Sequence, residues 1–347
     1  MTREAKWQPD VLGEPFEQLT LPLAPDAEGD VVATLVRYVP GPRLSDLHFG
    51  REEAENTDVL YVHGWSDYFF QRELAEFWHT IGARFFALDL RKYGRSLRPW
   101  QTPGYIEDLA AYDEEIEAAL GEMGHGADAH AEHGGHGEHG RAGREGRRRL
   151  ILLGHSTGGL TLSLWANRHR GRADAVILNS PWLEFQGHSV GRAAIAPLVG
   201  LRARVDPLGA VVNVDLGFYS RSVSATMDGE WDYDLAWRPA RGFALHPGWL
   251  NAVLAGHAQV AAGLAIDAPV LTMLSARSTL SPRWTPEMMS SDIVLVVDDI
   301  AQRAIRLAPT VTVTRLDGAL HDIFLSRAPV RQEAEKRMAR WLRAYLR

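Results

Sequence analysis

The stretch Leu150-Ile-Leu-Leu-Gly-His-Ser-Thr-Gly-Gly159 constrains the fold of this chain more than any other. Four branched apolar residues, Leu150 to Leu153, run into Gly154-His155-Ser156-Thr157-Gly158, and an apolar-rich segment with helical spacing follows to Arg170. That order predicts strand, sharp turn, helix. In such a turn the serine takes a strained backbone conformation that lifts its hydroxyl above the sheet. Strand and helix backbones nearly touch there, so the positions two before and two after must be small. Gly154 and Gly158 occupy them. The new helix points unpaired N–H groups at the same spot, which places the Thr157 amide to bind an oxyanion. The plain alternative is a glycine-rich strand-to-helix turn carrying an ordinary solvated serine.

Short apolar runs alternate with helical patterns through most of the chain. Val31 to Val39 is β-rich and stopped by Pro40-Gly41-Pro42. Asp58 to Val62 is a short strand ending in His63-Gly64-Trp65-Ser66, Phe69 to Ile81 has helical periodicity, and Arg84 to Leu90 is the next strand. Tyr105 to Leu120 reads as an acidic amphipathic helix, and Ala175 to Ser180, Pro269 to Leu274 and Val311 to Arg315 as further strands. Ala334, Met338, Trp341, Leu342 and Tyr345 share one face of a closing helix suited to pack on the sheet. The pattern predicts an α/β fold with a mostly parallel central sheet covered by helices on both faces. The expected core is 31–181 with 266–347, preceded by an N-terminal extension at 1–30 that is rich in proline.

Two segments break the alternation. Residues 121–149 hold Gly, Glu, Arg and five histidines, His125, His130, His133, His136 and His139, with almost no large apolar side chain. Such a segment buries too little surface to offset its ordering entropy, and it reads as a disordered loop inserted in the core. Neutral imidazoles also suit zinc or nickel, but the spacing is irregular and no further ligand is evident, so no metal site is assigned. Residues 182–265 carry Trp182, Phe185, Phe218, Trp231, Trp237 and Trp249 among Pro, Gly and Arg, without a clear run of sheet strands. This reads as an inserted, mostly helical cap whose Trp182, Phe185, Phe218, Trp231 and Trp249 line an acyl pocket or simply pack the cap.

Composition narrows the partners. The 347 residues are 46% hydrophobic with a net charge of -7, which supports a large core and gives no reason to expect nucleic acid. Zero cysteines exclude disulfides and thiolate chemistry and fit a reducing, cytoplasmic setting. No apolar run has the length of a membrane span, so no stable membrane insertion is expected.

A serine hydroxyl is a poor nucleophile until an imidazole takes its proton, and the imidazole needs a carboxylate to fix its tautomer. Gly318-Ala-Leu-His321 follows the last strand, from which His321 can reach back to the head of the central strand. The acid belongs after the strand at 269–274. The usual place, four residues on, holds Ser278, which leaves Glu287, Asp292, Asp298 and Asp299. Asp298 opens a helix-like stretch and has a ready capping role. Asp292 has no such obligation; it precedes the apolar run Ile293 to Val297, where an excursion returns to the core. Trp65, after an early strand, supplies a second oxyanion N–H.

The motifs His63-Gly64-Trp65, Leu88-Asp-Leu-Arg-Lys-Tyr-Gly-Arg-Ser96, Gly154-His-Ser-Thr-Gly158 and Gly318-Ala-Leu-His321 resemble, in this order, the α/β-hydrolase superfamily and its monoglyceride lipase, lysophospholipase and serine-aminopeptidase-like group. The resemblance implies the α/β-hydrolase fold, with Ser156 as nucleophile, His321 as general acid/base and the amides of Trp65 and Thr157 as oxyanion hole. It makes Asp89 to Ser96 a structural turn. The expectation is a serine hydrolase of carboxylic esters, from medium-chain acyl esters to glyceride-like and lysophospholipid-like lipids, using Ser156, His321 and Asp292 without a cofactor. Amide hydrolysis on the same groups, and a non-catalytic binding protein on the same fold, are the alternatives.

Overall fold

The computed structural model describes residues 6–41, 54–126, 147–185, 189–211 and 215–346, with the side chains of 189–196 outside the description. Strands β1 (Gln8–Pro9), β2 (Phe16–Asp26), β3 (Gly29–Tyr38), β4 (Thr57–Val62), β5 (Ala83–Asp89), β6 (Arg149–His155), β7 (Ala175–Asn179), β8 (Val270–Ser275) and β9 (Val311–Leu316) form one sheet in the order β1-β2-β3-β5-β4-β6-β7-β8-β9. The run from β5 to β9 is parallel, while β1, β2 and β3 add an antiparallel wing.

Strand β6 shows why the central runs are continuously apolar. Leu150 and Leu152 point into the cluster on one face of the sheet, Ile151 and Leu153 into the cluster on the other, and all four are fully buried. Strand β4 splits the same way, Leu60 and Val62 against Val59 and Tyr61. A strand covered on both faces has no side left for polar residues. The covering helices are α1 (Arg72–Thr80), α2 (Asp113–Met123), α3 (Thr157–Arg168), α7 (Val297–Ala304) and α8 (Ala328–Tyr345). The cap, between β7 and β8, contributes α4 (Ser189–Val205), α5 (Phe218–Val223) and α6 (Pro247–Ala262). No helix among the described residues is long and apolar enough to cross a membrane.

The chain leaves β4 for β5 on one side of it and returns to β6 on the other. Their carboxyl ends therefore face a crevice where the strand order reverses, the place where open α/β sheets bind ligands.

The fold departs from expectation at its N-terminus and at the two ends of the His-rich segment. Residues 6–30, the described part of the expected extension, join the sheet, because β1, β2 and the start of β3 lie within them. Leu19 and Leu21 are buried in the sheet core. The prolines that masked this strand are tolerated because β1 covers only two residues of β2, leaving Pro22 and Pro25 with no ladder to serve on that side. Residues 121–126 and 147–149 of the expected loop also belong to the fold: α2 runs to Met123, Gly124 closes it with φ 85°, His125 is buried, and Arg149 starts β6. His125 Nε2 donates to Asp58 Oδ2 at 2.9 Å, and Arg84 and Arg148 hold the same carboxylate from either side. The remaining expectations for the His-rich segment, with His130, His133, His136 and His139, fall on residues 127–146 and lie outside the described residues.

Burial by itself would raise the pKa of Asp58, but the hydrogen bonds from Arg84, His125 and Arg148 outweigh it and bring the pKa down to about 2. A carboxyl depressed in the folded state stabilises above its unfolded pKa, and that contribution is lost as pH falls through the folded value. Chemical denaturation of wild type and Asp58→Asn at pH 5 and pH 2 should show their stability difference shrinking by about 2 kcal/mol at the lower pH.

Candidate active site

Ser156 sits between β6 and α3 with φ 50° and ψ -118°, a conformation that side-chain-bearing residues rarely adopt. The turn is held by close backbone approach. A Cβ on Gly154 would stand 2.7 Å from the Gly158 carbonyl oxygen, and one on Gly158 would overlap the carbonyl oxygens of Val62 and His63. The elbow is thus pressed against the end of β4. There His63 donates from Nδ1 to the Gly64 carbonyl at 2.7 Å and accepts from the Leu90 amide at 3.1 Å, bracing the turn that follows β4. Burial lowers the pKa of His63, which suits a neutral ring with one donor and one acceptor. A Cβ on Gly64 would lie 3.0 Å from Ser156 Cβ, so the Gly64–Trp65 peptide borders the serine.

His321 Nε2 lies 3.1 Å from Ser156 Oγ, and His321 Nδ1 lies 2.9 Å from Asp292 Oδ2. All three side chains are buried. The other oxygen of Asp292 accepts from the amides of Val294 at 2.8 Å and Leu295 at 2.7 Å, so the carboxylate has a fixed orientation. Asp292 arrives there because the excursion after β8 closes on itself. Ser278 and Asp292 form a parallel bridge, with the Asp292 amide donating to Arg277 and the Thr279 amide to Asp292. Ser278, at the position where an acid would otherwise stand, accepts from the Val297 amide at 2.9 Å and starts α7. Asp298 is exposed and paired with Arg315 at 2.6 Å, without the capping hydrogen bond expected of it. Glu287 lies on an exposed single turn.

One positioning residue escaped the sequence reading. The Asn179 carbonyl at the end of β7 accepts from the Ser156 amide at 3.1 Å and from His155 Nδ1 at 3.0 Å. Its side chain donates to Asp322 Oδ1 at 2.6 Å and accepts from the Ile323 amide at 3.1 Å. A single asparagine ties the serine elbow to the loop that carries His321. Gln71 Nε2 holds the other oxygen of Asp322 at 3.0 Å. Nothing in the local pattern singles out Asn179 from a strand end.

Behind the elbow, Asp67, His155 and Asp322 place ligand atoms within 4.8 Å of one another. They are a poor cation site: Gln71 and Asn179 occupy Asp322, His155 Nδ1 is taken up by the Asn179 carbonyl, and the Arg238 guanidinium stands 3.0 Å from Asp67. The acidic turn at Asp89 is structural in contact terms. Its carboxylate accepts from the amides of Phe69 and Arg95 and from Arg95 Nη1, and Arg95 continues to Asp10.

Ser156 and His321 open into a cavity of about 460 Å³ roofed by the cap. Of the aromatic residues expected there, Trp182, Phe218 and Trp249 line it, and Trp249 lies against Trp65 with ring centroids 3.7 Å apart. Phe185 and Trp231 do not line it: Phe185 packs against the hydrophobic cluster on one face of the sheet, and Trp231 is buried with its indole N–H donating to the Leu325 carbonyl at 2.9 Å. Leu216, Tyr219, Arg238, Phe243, Met288 and Val294 also face the cavity. They come from three separate stretches of chain that sequence spacing does not connect.

A strand-order reversal carrying a strained serine elbow, with a histidine after the last strand, defines the α/β-hydrolase class. The chain belongs to the alpha/beta hydrolase family, whose sequence pattern it matches over residues 59–334. Solved structures share the fold. A monoacylglycerol lipase from Paleococcus ferrophilus superposes with a TM-score of 0.58 at 19% identity, covering 84% of this chain and 95% of that one. A soluble variant of monoglyceride lipase from Saccharomyces cerevisiae, solved with a substrate analog, gives 0.58 at 15% identity over 99% and 95%. A thermophilic esterase from Thermogutta terrifontis gives 0.54 at 15% over 94% and 98%. A search of curated protein sequences returns no match.

The packing of Gly158 on β4 leads to an expected outcome. Gly158→Ala has no side chain to move aside, only backbone, so β4 and the elbow must part. Thermal unfolding should show a loss on the order of 1–3 kcal/mol or more, and labelling of Ser156 by a serine-directed fluorophosphonate should be strongly slowed.

Proposed function

We propose that this chain is a serine hydrolase of carboxylic esters, acting through an acyl-enzyme on Ser156. The observation that carries the reading is the unbroken hydrogen-bonded line from Ser156 Oγ through His321 to Asp292. In this mechanism His321 Nε2 takes the serine proton as Oγ attacks the ester carbonyl, and Asp292 holds the imidazole in the tautomer that makes Nε2 the base. The amides of Trp65 and Thr157 bind the oxyanion of the tetrahedral intermediate, worth about 3–4 kcal/mol per donor in well-formed sites. His321 then returns the proton to the leaving alcohol, and water, activated by the same imidazole, releases the acid.

The cavity supports an acyl or glyceride-like substrate, since Trp182, Leu216, Phe218, Phe243, Trp249 and Met288 give it long apolar walls. The lipase and esterase names of the structural neighbours agree with that class. Medium-chain acyl esters, monoglyceride-like and lysophospholipid-like lipids are the proposed range, and a chain without cysteine suits a cytoplasmic setting.

Fluorophosphonate labelling tests the reading directly, because only an activated serine reacts. Ser156→Ala should abolish labelling and lower hydrolysis of p-nitrophenyl butyrate by on the order of 10³-fold or more with the melting temperature retained. Wild-type turnover by that variant would overturn the assignment. Asp292→Asn should lower turnover by about 10⁴-fold through the wrong tautomer, whereas Asp298→Asn, which loses one exposed ion pair, should stay near wild type.

A further inference from the structure

The cavity wall contains one buried cation, Arg238, from the cap segment between α5 and α6. Its Nε stands 3.0 Å from Asp67 Oδ1, and its Nη1 is fully buried with no hydrogen-bond partner. The rest of its surroundings are ring faces: Tyr233 at 4.6 Å, Tyr219 at 5.1 Å and Phe70 at 5.8 Å from the guanidinium carbon. Aromatic faces stabilise the charge, but they do not use up the in-plane N–H groups. Asp322, the other acid near it, has both oxygens engaged by Gln71 and Asn179. A buried guanidinium N–H that no side chain of the site takes up is a donor available to an acceptor brought in by a ligand.

Its place relative to the chemistry is fixed. Tyr219, whose ring lies under Arg238, also sits edge-on to His321 at 5.5 Å, so one aromatic ring separates the cation from the imidazole. Asp67 follows Ser66, whose hydroxyl accepts from the Phe243 amide at 3.1 Å and pins the cap segment carrying Arg238 to the turn after β4. Burial raises the pKa of Asp67, and the charge of Arg238 pulls it back in part.

From this geometry we infer that Arg238 recognises an anionic group, a carboxylate or a phosphate, on the ester that Ser156 cleaves, with Asp67 as a counter-charge that the substrate anion partly displaces. The inference rests on the ester-hydrolase reading above and narrows its substrates to acidic esters. The planar fork of arginine suits either anion. A carboxylate would come on the acyl side, as in a dicarboxylic half-ester, and a phosphate on the alcohol side, as in an acylated glycerol phosphate.

Two substrate pairs, each differing by one anionic group, test it: p-nitrophenyl hemiglutarate against p-nitrophenyl valerate, and monobutyryl glycerol phosphate against monobutyrin. In one pair the wild-type enzyme should favour the anionic member by about tenfold or more in kcat/KM, and the pair that shows it tells which side of the ester faces Arg238. Arg238→Met should collapse that ratio, Arg238→Lys should keep part of it, and Asp67→Asn, which removes the counter-charge without changing shape, should raise it. A residue that only supports the fold would lower both members in parallel and leave the ratio where it was. If Arg238→Met fails to fold, the wild-type ratio and the opposite shift in Asp67→Asn still decide. Equal rates within both wild-type pairs, or a ratio that none of the three substitutions moves, would overturn the inference while fluorophosphonate labelling of Ser156 left the ester-hydrolase reading standing. Failure of the labelling itself would remove both.

Discussion

The site depends on one close approach, the contact of the Gly154–Gly158 backbone with the end of β4. Because Gly158 lies against the carbonyl oxygens of Val62 and His63, the serine elbow and the turn at Gly64–Trp65 are parts of one packed unit rather than two loops that happen to meet. That unit forces Ser156 into a left-handed conformation with its hydroxyl at the carboxyl edge of the sheet. The strain is offset by what surrounds it: β6 is buried on both faces, and the Ser156 amide is bonded to Asn179. A strained residue persists only where its neighbours over-determine its place.

From that point the geometry spreads outward through hydrogen bonds of short reach. Asn179 passes the position of the elbow to Asp322, and the residue before Asp322 is His321. Asp292 meets His321 from a different direction, fixed by its own bridge to Ser278 and by two amides that hold its second oxygen. The base is therefore oriented from two sides, and neither support is itself part of the proton path. The cap is tied to the same frame through Ser66 and Phe243 and through the Trp65–Trp249 ring contact. The cavity floor and its roof share their anchoring residues, so the place of Arg238 relative to His321 is set by the same contacts that set the elbow.

The parts of the chain legible in sequence are those whose cause is local. The elbow needs glycine at two positions because a Cβ would strike backbone, and buried parallel strands need unbroken apolar runs because neither face is wet. The helix at Leu160, the strands at Val59 and Ile151 and the order of the motifs followed from such rules. Asp292 was reached by elimination, from the presence of Ser278 at the usual place and the competing obligations of Asp298. The structure sets Asp292 beside His321, although Asp298 turned out to pair with Arg315 rather than cap its helix.

Tertiary structure alone decided the rest. Proline-rich β2 joins the sheet because its partner strand and its short edge neighbour leave the prolines harmless, a fact of pairing that its own residues do not display. His125 has the sequence setting of a polar tract and is instead buried on Asp58, whose carboxylate Arg84 on β5 and Arg148 just before β6 also hold. Trp231 was counted with the pocket and lies in the core, while Tyr219, Arg238 and Asn179 were unmarked and stand around the site. A glycine under a backbone contact announces itself through its own missing side chain. A side chain that lines a cavity takes its role from residues dozens of positions away, and only the folded chain brings them together.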